Sequence, residues 1–258
     1  MAESQLSPPP PGNPAHAAEP CNTLAVSTVI FALRPDDAGG LTSLWLPLVR
    51  RTRDPFRDRW ALPGGWLSVL EEPGTAAART LRETTALTPK YLEQLYTFGN
   101  LGRSPGDRVV SIVYWALVQS DEANRAAASD NVRWFAADRL PALAFDHNRI
   151  VEYALWRLRT KVEYSRIAHS FLGDTFTLAQ LREVHEAVLL KPLDPANFRR
   201  SMESSGTLID TGQQVSGTRH RPPRLFRYDD SGSPEHPVST SPATPRRTPG
   251  EPHDHTLG

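Results

Sequence analysis

Short apolar runs separated by turn residues fill the first part of the chain. Residues 23–33 (TLAVSTVIFAL) and 43–49 (SLWLPLV) are rich in β-branched and apolar side chains, and they predict two strands. WALPGGWL follows, and its Pro-Gly-Gly break predicts a turn between two short strands. Beyond Pro73 the run AAARTL predicts a helix that reaches about Leu87 and is closed by Pro89.

The same pattern continues after this helix. YLEQLYTFGN and RVVSIVYWALV predict two strands around the loop LGRSPGD, and VRWFAA predicts a shorter strand. A helix is expected over residues 147–161 with Asp146 as its N-cap, because Ile150, Ala154 and Leu158 recur at helical spacing. The order strand, strand, helix, strand, strand, helix indicates an α+β sandwich.

The pattern changes after Ser170. Thr177 and Gln180 fit a capping box at the start of one helix. Asp194 and Pro195 suit the N-cap and first turn of a second helix, and Gly206 suits its end. The strand-like runs GTLIDTG and PRLFRY follow. Two helices joined by a tight turn and followed by a hairpin predict a winged helix-turn-helix domain.

Proline is concentrated at the two ends of the chain, which lack any periodic apolar pattern. Six of the 24 prolines lie in residues 1–20 and six in residues 231–258. Such segments bury too little surface to offset their ordering entropy, so we expect disordered tails. The resulting division is a tail over 1–21, a sandwich over 22–145, a linking helical segment over 146–170, a winged domain over 171–229 and a tail over 230–258.

Charge and cysteine content exclude several classes of protein. The net charge is zero, so overall electrostatics does not indicate a nucleic-acid or membrane partner. The single cysteine, Cys21, excludes an internal disulfide framework and a multi-cysteine metal site. The apolar runs are too short to span a bilayer, and the N terminus lacks the order of a signal peptide. We therefore expect a cytoplasmic protein without membrane contact.

The segment from Gly65 to Leu87 resembles the Nudix box, G-x5-E-x7-R-E-U-x-E-E-x-G-U with U apolar. In that box, carboxylates at i, i+3 and i+4 share one helix face and hold divalent cations. Here two of these three helix carboxylates are replaced by threonine, and the second box glycine is replaced by Ala86. The positions of this degenerate box are Gly65, Glu71, Arg79, Thr80, Glu83 and Thr84.

The resemblance therefore implies the Nudix α/β/α sandwich but argues against catalysis. We expect no catalytic residue and no bound metal, with Glu83 as the one helix carboxylate that could still contact Mg²⁺ weakly. The resembled family also implies that Arg79 pairs with Glu71 to brace the loop. The alternative is an active hydrolase of ADP-ribose-like nucleotides that uses Glu71, Glu72 and Glu83.

A cleft at the junction of loop and helix would suit a phosphate, because a helix N terminus presents free amide groups. Tryptophan could stack on a base there, with Trp60 and Trp66 as candidates. Solvated arginines and core tryptophans are the plainer alternative, and it stays open. The predicted effector-binding residues are Arg59, Trp60, Gly64, Gly65, Glu83, Arg103 and Arg108.

A second cluster is basic. Between Val215 and Tyr228 there are four arginines and no acid, which suits contacts to DNA phosphates. On the second helix of the winged domain, asparagine and arginine lie opposite Phe198 and Met202, and such side chains match base edges. The plainer alternative is a solvated helix and hairpin that bind a protein. The predicted DNA contacts are Ala196, Asn197, Arg199, Arg200, Thr218, Arg219, His220 and Arg221.

Together, the degenerate box and the run PLDPANFRRSM with GTRHRPPRLFRY resemble the Nudix-related transcriptional regulators of NAD metabolism, over residues 22–229. The resemblance implies a homodimeric repressor that binds an operator of NAD biosynthesis or salvage genes in double-stranded DNA. It also implies that ADP-ribose or a related NAD derivative is the effector. Some relatives respond to phosphorylated sugars and control sugar catabolism, so the identity of the effector is left open.

Overall fold

The computed structural model describes the chain over residues 22–35, 42–89, 91–106, 108–125, 131–164, 166–215 and 222–229. The two tails lie outside these ranges, and so does the tip of the predicted wing at 216–221. The predictions for the tails and for four DNA contacts therefore stay predictions. Those four contacts are Thr218, Arg219, His220 and Arg221.

Seven strands form one mixed sheet within the described residues. Five follow the order β3-β2-β1-β6-β5, while β4 pairs with β1 and β7 pairs with β2. Strands β1 and β6 run parallel, and the other pairs are antiparallel. The strands are β1 (Thr23–Pro35), β2 (Thr42–Arg50), β3 (Trp60–Ala61), β4 (Gly64–Trp66), β5 (Tyr91–Phe98), β6 (Val109–Val118) and β7 (Val132–Ala136).

Alternating side chains of β1 supply both faces of the sheet, as the period of a strand requires. Ile30 and its neighbours of the same parity pack against helix α1 (Pro73–Thr85) through Leu81. Phe31 and the side chains of opposite parity pack against helix α3 (His147–Tyr164). A short helix α2 (Ser120–Arg125), which the sequence analysis does not predict, follows β6. The predicted α+β sandwich is confirmed.

The winged helix-turn-helix domain is also confirmed. A 3₁₀ helix leads into α4 and α5, and the antiparallel pair β8–β9 follows them. Thr177 and Gln180 form the predicted capping box, and the Asp194 side chain accepts a hydrogen bond from Asn197 N. The elements are the 3₁₀ helix (Arg166–Phe171), α4 (Leu178–Leu189), α5 (Pro195–Ser204), β8 (Leu208–Gln214) and β9 (Arg224–Tyr228).

One hydrophobic core joins the sandwich to the winged domain. The α3 face of the sheet continues into Leu181 and Val184 of α4, Phe198 of α5 and Phe226 of β9. Helix α4 packs on strand β2 as well as on α3. A polar link adds to this contact, because the Arg159 guanidinium donates to the Val188 carbonyl at 3.2 Å. The winged domain is therefore fixed to the sandwich through buried apolar contacts.

Two local predictions differ from the structure. Helix α1 ends at Thr85 and not at Leu87, because Ala86 adopts a left-handed conformation with φ 58° and its N–H donates to Arg82 O. Helix α3 does begin after Asp146, but the Asp146 carboxylate is engaged by Arg103 and does not cap the helix. Within the described ranges, the helices are too short or too polar to cross a membrane.

Candidate functional site

A cavity of about 440 Å³ opens where β1, β4 and β6 meet the start of α3. The segment after β2, which carries the charged run RRTRDP, forms one of its walls. The loop before β6 and the residues around the N terminus of α3 complete it. Its lining includes Ser27, Arg50, Arg51, Arg53, Gly64, Gly65, Trp66, Thr84, Arg103, Ser111, Phe145 and His147.

Four arginines and one carboxylate, Asp54, line the cavity, so its lining is positive overall. Arg50 is paired with Asp58 at 3.0 Å, at the rim. Arg51 is more enclosed: its Nε donates to Pro55 O at 2.8 Å, and burial lowers the pKa of its guanidinium. Arg53 and Arg103 complete the set. Clustered guanidinium groups in a concave site favour an anionic ligand, and their forked donors suit phosphate.

Arg103 is held by a carboxylate at the start of α3. Its Nε and one Nη donate to the two Asp146 oxygens at 3.1 and 2.8 Å. The side chain of Arg103 is only 5% exposed, and that of Asp146 is 17% exposed. A buried pair of this geometry fixes the guanidinium at the cavity and ties the loop before β6 to helix α3.

Aromatic rings pack beneath the arginines. Phe56 and Phe145 meet edge to face at 5.0 Å, and Arg51 lies over the Phe145 ring at 4.6 Å. Both phenylalanines have positive φ, 67° and 54°, a conformation that costs free energy in residues with a Cβ. The surrounding contacts therefore stabilise a backbone conformation that is unfavourable for phenylalanine on its own.

His147, the first residue of α3, is a buried lining residue with 6% exposure. Its Nδ1 accepts a hydrogen bond from Leu62 N at 3.0 Å. Burial lowers the pKa of the imidazole to about 3; the nearby Asp146 carboxylate opposes this shift, and Arg103 and Arg51 add to it. The ring is therefore neutral at physiological pH.

Close approach requires a glycine at position 64 of the short strand β4 and makes the space at Gly65 tight. A Cβ on Gly64 would lie 2.3 Å from the Val26 carbonyl oxygen, and one on Gly65 would lie 3.2 Å from the Thr80 methyl group. Glycine thus lets β4 pack against β1 and lets α1 pack against β4. These contacts place the loop that carries Glu71 beside the helix of the degenerate box.

The predicted effector residues divide into two groups. Gly64, Gly65 and Arg103 line the cavity. Trp60 packs edge to face on Phe135 at 5.1 Å within the core, whereas Trp66 is 63% exposed and lines the cavity. The other predicted residues lie outside the lining: Arg59 over Phe56, Arg108 with an Nη donating to Val109 O, and Glu83 paired with Arg79.

Sequence reasoning missed the arginines of the segment after β2 and the residues at the start of α3. Arg51 lies in a run whose sequence predicts an exposed charged turn. The high density of arginine in that run (RRTRDPFRDR) could have indicated an anion-binding site. Phe145 and His147 carried no such signal. Their role depends on the packing of α3 against the sheet, which a single sequence does not reveal.

The degenerate box forms no cluster of carboxylates. The Thr80 hydroxyl donates to Ala76 O at 2.9 Å, and the Thr84 hydroxyl donates to Thr80 O at 2.5 Å. Glu83 is paired with Arg79 at 3.2 Å. In the ranges that the structure describes, no group of three histidine, cysteine or acidic side chains could hold a metal ion. The donor set does not fit the Mg²⁺ of Nudix hydrolases, which needs several oxygen ligands with negative charge.

Helix α5 presents an exposed polar face beside a groove of about 600 Å³ between α4 and α5. Phe198 is buried and Met202 packs partly against the core, which turns the predicted DNA contacts of this helix outward. Those exposed contacts are Ala196, Asn197, Arg199 and Arg200. Arg200 lines the groove and has no hydrogen bond or ion pair with any residue that the structure describes.

An acidic residue lies among the arginines of this surface. The Glu203 carboxylate is 3.2 Å from Arg224 of β9 and 3.8 Å from Arg199 of its own helix. Arg224 also pairs with Asp210 of β8 at 2.8 Å. The basic strand of the wing and the exposed helix are thereby joined through one carboxylate. The surface has the helix-turn-helix and strand-pair arrangement of a nucleic-acid interface, with three arginines against two carboxylates among its described residues.

Comparison with known protein families agrees with both parts of this architecture. The NUDIX domain model matches residues 23–154. The model of the NrtR DNA-binding winged helix domain matches residues 168–228.

Two of the similar proteins match most of the chain, and a third matches less than half of it. The chain is 31% identical over 215 residues to the ADPR responsive transcriptional repressor NtrR of Acinetobacter baylyi, covering 81% of this chain and 83% of that protein. It is 34% identical to Shewanella oneidensis NrtR in its crystal structure with a 27mer DNA, with a TM-score of 0.67 and coverage of 80% and 93%. It is also 33% identical over 111 residues to the ADP-ribose pyrophosphatase of Methanocaldococcus jannaschii, covering 43% of this chain and 66% of that enzyme.

Proposed function

The chain belongs to the NUDIX family and also carries an NrtR-type winged helix domain, and from this premise we propose that it is a DNA-binding transcriptional repressor controlled by an ADP-ribose-like nucleotide. The observation that carries the proposal is a single core that joins an arginine-lined cavity to a winged helix-turn-helix domain. The Acinetobacter relative is named as an ADPR responsive repressor, and the Shewanella relative was crystallised with DNA. Both support the assignment.

The cavity suits a nucleotide diphosphate. Arg51 and Arg103 come from two different segments that line the cavity, and they supply fixed guanidinium groups for phosphate oxygens. Trp66 is exposed at the cavity and has a free face for stacking on a base or a sugar. We propose that the diphosphate lies between the arginines and that Trp66, rather than the core residue Trp60, contacts the base.

Helix α3 is the proposed connection between ligand and DNA. Its first residues line the cavity, with Asp146 bound to Arg103, while Arg159 near its other end donates to α4. An anionic ligand competes with Asp146 for Arg103 and so changes the contacts at the start of this helix. Ligand can shift the position of the winged domain only as far as it binds one arrangement better than the other.

We propose that the protein acts as a cytoplasmic homodimer on operators of NAD biosynthesis or salvage genes. A two-fold pair of winged domains reads a pseudo-palindrome whose half-sites are separated by whole helical turns. On each half-site, Asn197 and Arg200 at the exposed face of α5 contact base edges. Arg199 and Arg224 contact phosphates, which fix the register of the protein without reading sequence.

Hydrolysis is the second candidate, favoured by the similarity to the ADP-ribose pyrophosphatase. The side chains of the box oppose it. Glu83, the helix carboxylate that the box retains, is engaged by Arg79, and the Thr80 hydroxyl donates to helix carbonyls. A protein that senses ADP-ribose also gains from leaving it intact, because cleavage would erase the signal. We therefore propose binding without efficient turnover.

DNA binding and its control are tested with the full chain on duplexes from the regions upstream of NAD genes. Fluorescence anisotropy at several salt concentrations should give tight binding to a pseudo-palindromic site, and ADP-ribose should weaken it. A scrambled duplex of equal length is the control. Equal affinity for both duplexes, unaltered by ADP-ribose, would overturn the proposal.

The identity of the effector is tested by calorimetry with ADP-ribose, AMP and a phosphorylated sugar as separate arms. Tight binding of ADP-ribose supports the NAD assignment, and preference for the sugar phosphate favours control of sugar catabolism instead. Incubation with Mg²⁺ and ADP-ribose tests the hydrolase alternative. Turnover that Glu83→Gln abolishes would show an active metal site and contradict the view that the domain only binds.

A further inference from the structure

The fold determines which ring nitrogen of His147 carries the proton. The backbone N–H of Leu62 donates to Nδ1 at 3.0 Å, so this nitrogen carries no proton. A neutral imidazole with an accepting Nδ1 has its proton on Nε2. Leu62 follows β3 directly and its side chain is buried, so its amide is held in place by the sheet. The tautomer is thereby fixed, and Nε2 is a hydrogen-bond donor.

The Nε2–H donor has no acceptor among the residues that the structure describes. The residue is only 6% exposed, yet it lines the cavity. The described side-chain atoms that are fully enclosed without a partner are Thr28 Oγ1 and Trp115 Nε1. His147 Nε2 is not one of them, so it keeps surface that a molecule in the cavity can reach. A buried donor without an acceptor costs free energy unless a ligand or water supplies one.

We propose that His147 is a specificity-determining residue of the effector site, whose Nε2–H donates to an oxygen of the bound nucleotide. This inference rests on the proposed function and deepens it. The neighbours of the imidazole are charged, with Arg51 and Arg103 close enough to affect it electrostatically. A neutral hydrogen-bond donor beside the arginines adds no charge to the site. It therefore favours a ligand that has an acceptor oxygen at that position over an anion that lacks one.

The position of His147 gives this contact a second consequence. It is the first residue of α3, next to Asp146, which holds Arg103. A ligand that bonds both Arg103 and His147 therefore contacts the loop before β6 and the helix at once. The hydrogen bond is made only while the ligand occupies the cavity. It adds to the differential affinity through which the nucleotide selects one placement of the winged domain.

Two variants separate this role from a purely structural one. In His147→Asn, the side-chain oxygen can still accept from Leu62 N, but no donor reaches the position of Nε2. In His147→Gln, a donor can reach that position, but the acceptor for Leu62 N is lost. Calorimetry with ADP-ribose on the full chain should show affinity about tenfold weaker for His147→Asn, as for the loss of one hydrogen bond. His147→Gln should lose less affinity and more thermal stability.

The outcomes distinguish this inference from the function on which it rests. If the wild-type chain binds ADP-ribose and His147→Asn binds it equally well, the inference is overturned and the proposed function stands. If the wild-type chain does not bind ADP-ribose, the proposed function itself fails. A reversed order, with His147→Gln losing affinity and His147→Asn keeping it, would show that His147 acts only by supporting Leu62.

Nuclear magnetic resonance tests the inference without a variant. Long-range proton–nitrogen spectra of the histidine rings report which nitrogen carries the proton, and the ring of His147 is assigned through its proximity to the Leu62 amide. We expect Nε2 to be protonated in the free chain and its resonance to shift when ADP-ribose is added. A protonated Nδ1, or an Nε2 resonance that ADP-ribose leaves unmoved at saturation, would overturn the inference.

Discussion

The Arg79 guanidinium holds the Glu71 carboxylate through two hydrogen bonds, Nε to Oε1 at 2.9 Å and Nη2 to Oε2 at 2.8 Å. Its third nitrogen, Nη1, lies 3.2 Å from Glu83. One arginine thus occupies a carboxylate from the loop and a carboxylate from the helix. The pairing that the resemblance implied, between Arg79 and Glu71, is present as a brace between the β4–α1 loop and helix α1.

Breaking this brace should destabilise the loop, and the effect should depend on pH. The hydrogen bond from Arg79 lowers the pKa of Glu71 below its ordinary value. A lowered carboxylate pKa gives stability that is present above the unfolded pKa of about 4.3 and is lost as the pH falls through the folded pKa. Glu71→Gln should therefore lower the thermal midpoint at pH 7, with a difference from wild type that shrinks in acid.

The matched control for Glu71→Gln is Arg79→Lys, which keeps the positive charge but cannot donate two parallel bonds to one carboxylate. Differential scanning fluorimetry between pH 7 and pH 3 gives the comparison, and the double variant should lose no more thermal stability than the larger of the two single losses. A constant difference between wild type and Glu71→Gln across this range would contradict the assigned pairing.

Ala86, which replaces the second glycine of the Nudix box, predicts a change in stability when glycine is restored. It ends α1 at φ 58°, which costs a residue with a Cβ about 1–2 kcal/mol relative to glycine. Glycine also gains freedom in the unfolded chain, which offsets about 0.4–1 kcal/mol. Ala86→Gly should therefore raise the free energy of unfolding by roughly 0.5–1 kcal/mol. Urea denaturation measures it, and Ala78→Gly, inside the same helix, should instead lower it by about 1 kcal/mol.

Much of this architecture follows from local sequence signals. The capping box at Thr177 and the N-cap at Asp194 each have a strong local cause, and the structure contains both. The predicted turn between two short strands is also present, but it lies at residues 62–63, and the two glycines of the Pro-Gly-Gly run belong to β4. The early end of α1 was missed because alanine rarely adopts the left-handed conformation, so Ala86 gave no signal of a stop.

The cavity was harder to predict than the fold. Trp60 and Trp66 are equally plausible stacking residues in sequence, and only the pairing of β4 with β1 exposes one while the core takes the other. His147 is separated from Leu62 by more than eighty residues, and their contact depends on how α3 crosses the sheet. Such long-range pairings require the tertiary structure.

The buried imidazole of His147 predicts a pH-dependent stability. Its pKa is lowered to about 3 in the folded chain, mainly by burial, against about 6.5 when unfolded. Below pH 6.5 the imidazole therefore binds a proton in the unfolded state but stays neutral in the folded state until the lowered pKa is reached. The free energy of unfolding should fall by about 1.4 kcal/mol per pH unit from this group alone between pH 6.5 and 4.

Other groups titrate in the same range, so the comparison with a variant isolates His147. His147→Asn has no titrating side chain at this position. The difference in free energy of unfolding between the variant and wild type should therefore change by about 1.4 kcal/mol per pH unit. Urea denaturation at half-unit pH intervals measures the difference. Parallel curves for the two proteins between pH 6.5 and 4 would show that His147 titrates normally.

The exposed face of α5 predicts a specific loss of DNA binding. Arg200 lines the groove beside α4 and has no partner among the described residues, so its guanidinium is available for a base edge. Arg200→Ala should weaken binding to the operator by about 1–3 kcal/mol per half-site while leaving binding to unrelated DNA nearly unchanged. Arg139→Ala, which removes the same charge from the sandwich, is the control. Equal losses on operator and unrelated DNA would assign Arg200 to phosphate.

Glu203 predicts a gain of DNA binding. Its carboxylate lies 3.2 Å from Arg224 and 3.8 Å from Arg199, so it neutralises part of the basic surface and repels phosphate. Because the two arginines are about half exposed, the pairs contribute little to stability, and Glu203→Gln should fold normally. Removing the charge frees the Arg199 guanidinium and one Nη of Arg224 for phosphate contacts, while Arg224 keeps its pair with Asp210.

Affinity for operator and for unrelated DNA should therefore rise together in Glu203→Gln, which lowers the ratio between them. The slope of log affinity against log salt should also become steeper, because more counterions are released on binding. Anisotropy titrations at four salt concentrations measure both quantities, with Glu183→Gln on α4 as a control for net charge. If Glu203→Gln binds DNA more weakly, the carboxylate instead positions Arg199 and Arg224 for contact with DNA. Glu203 would then contribute to DNA recognition and would not reduce affinity.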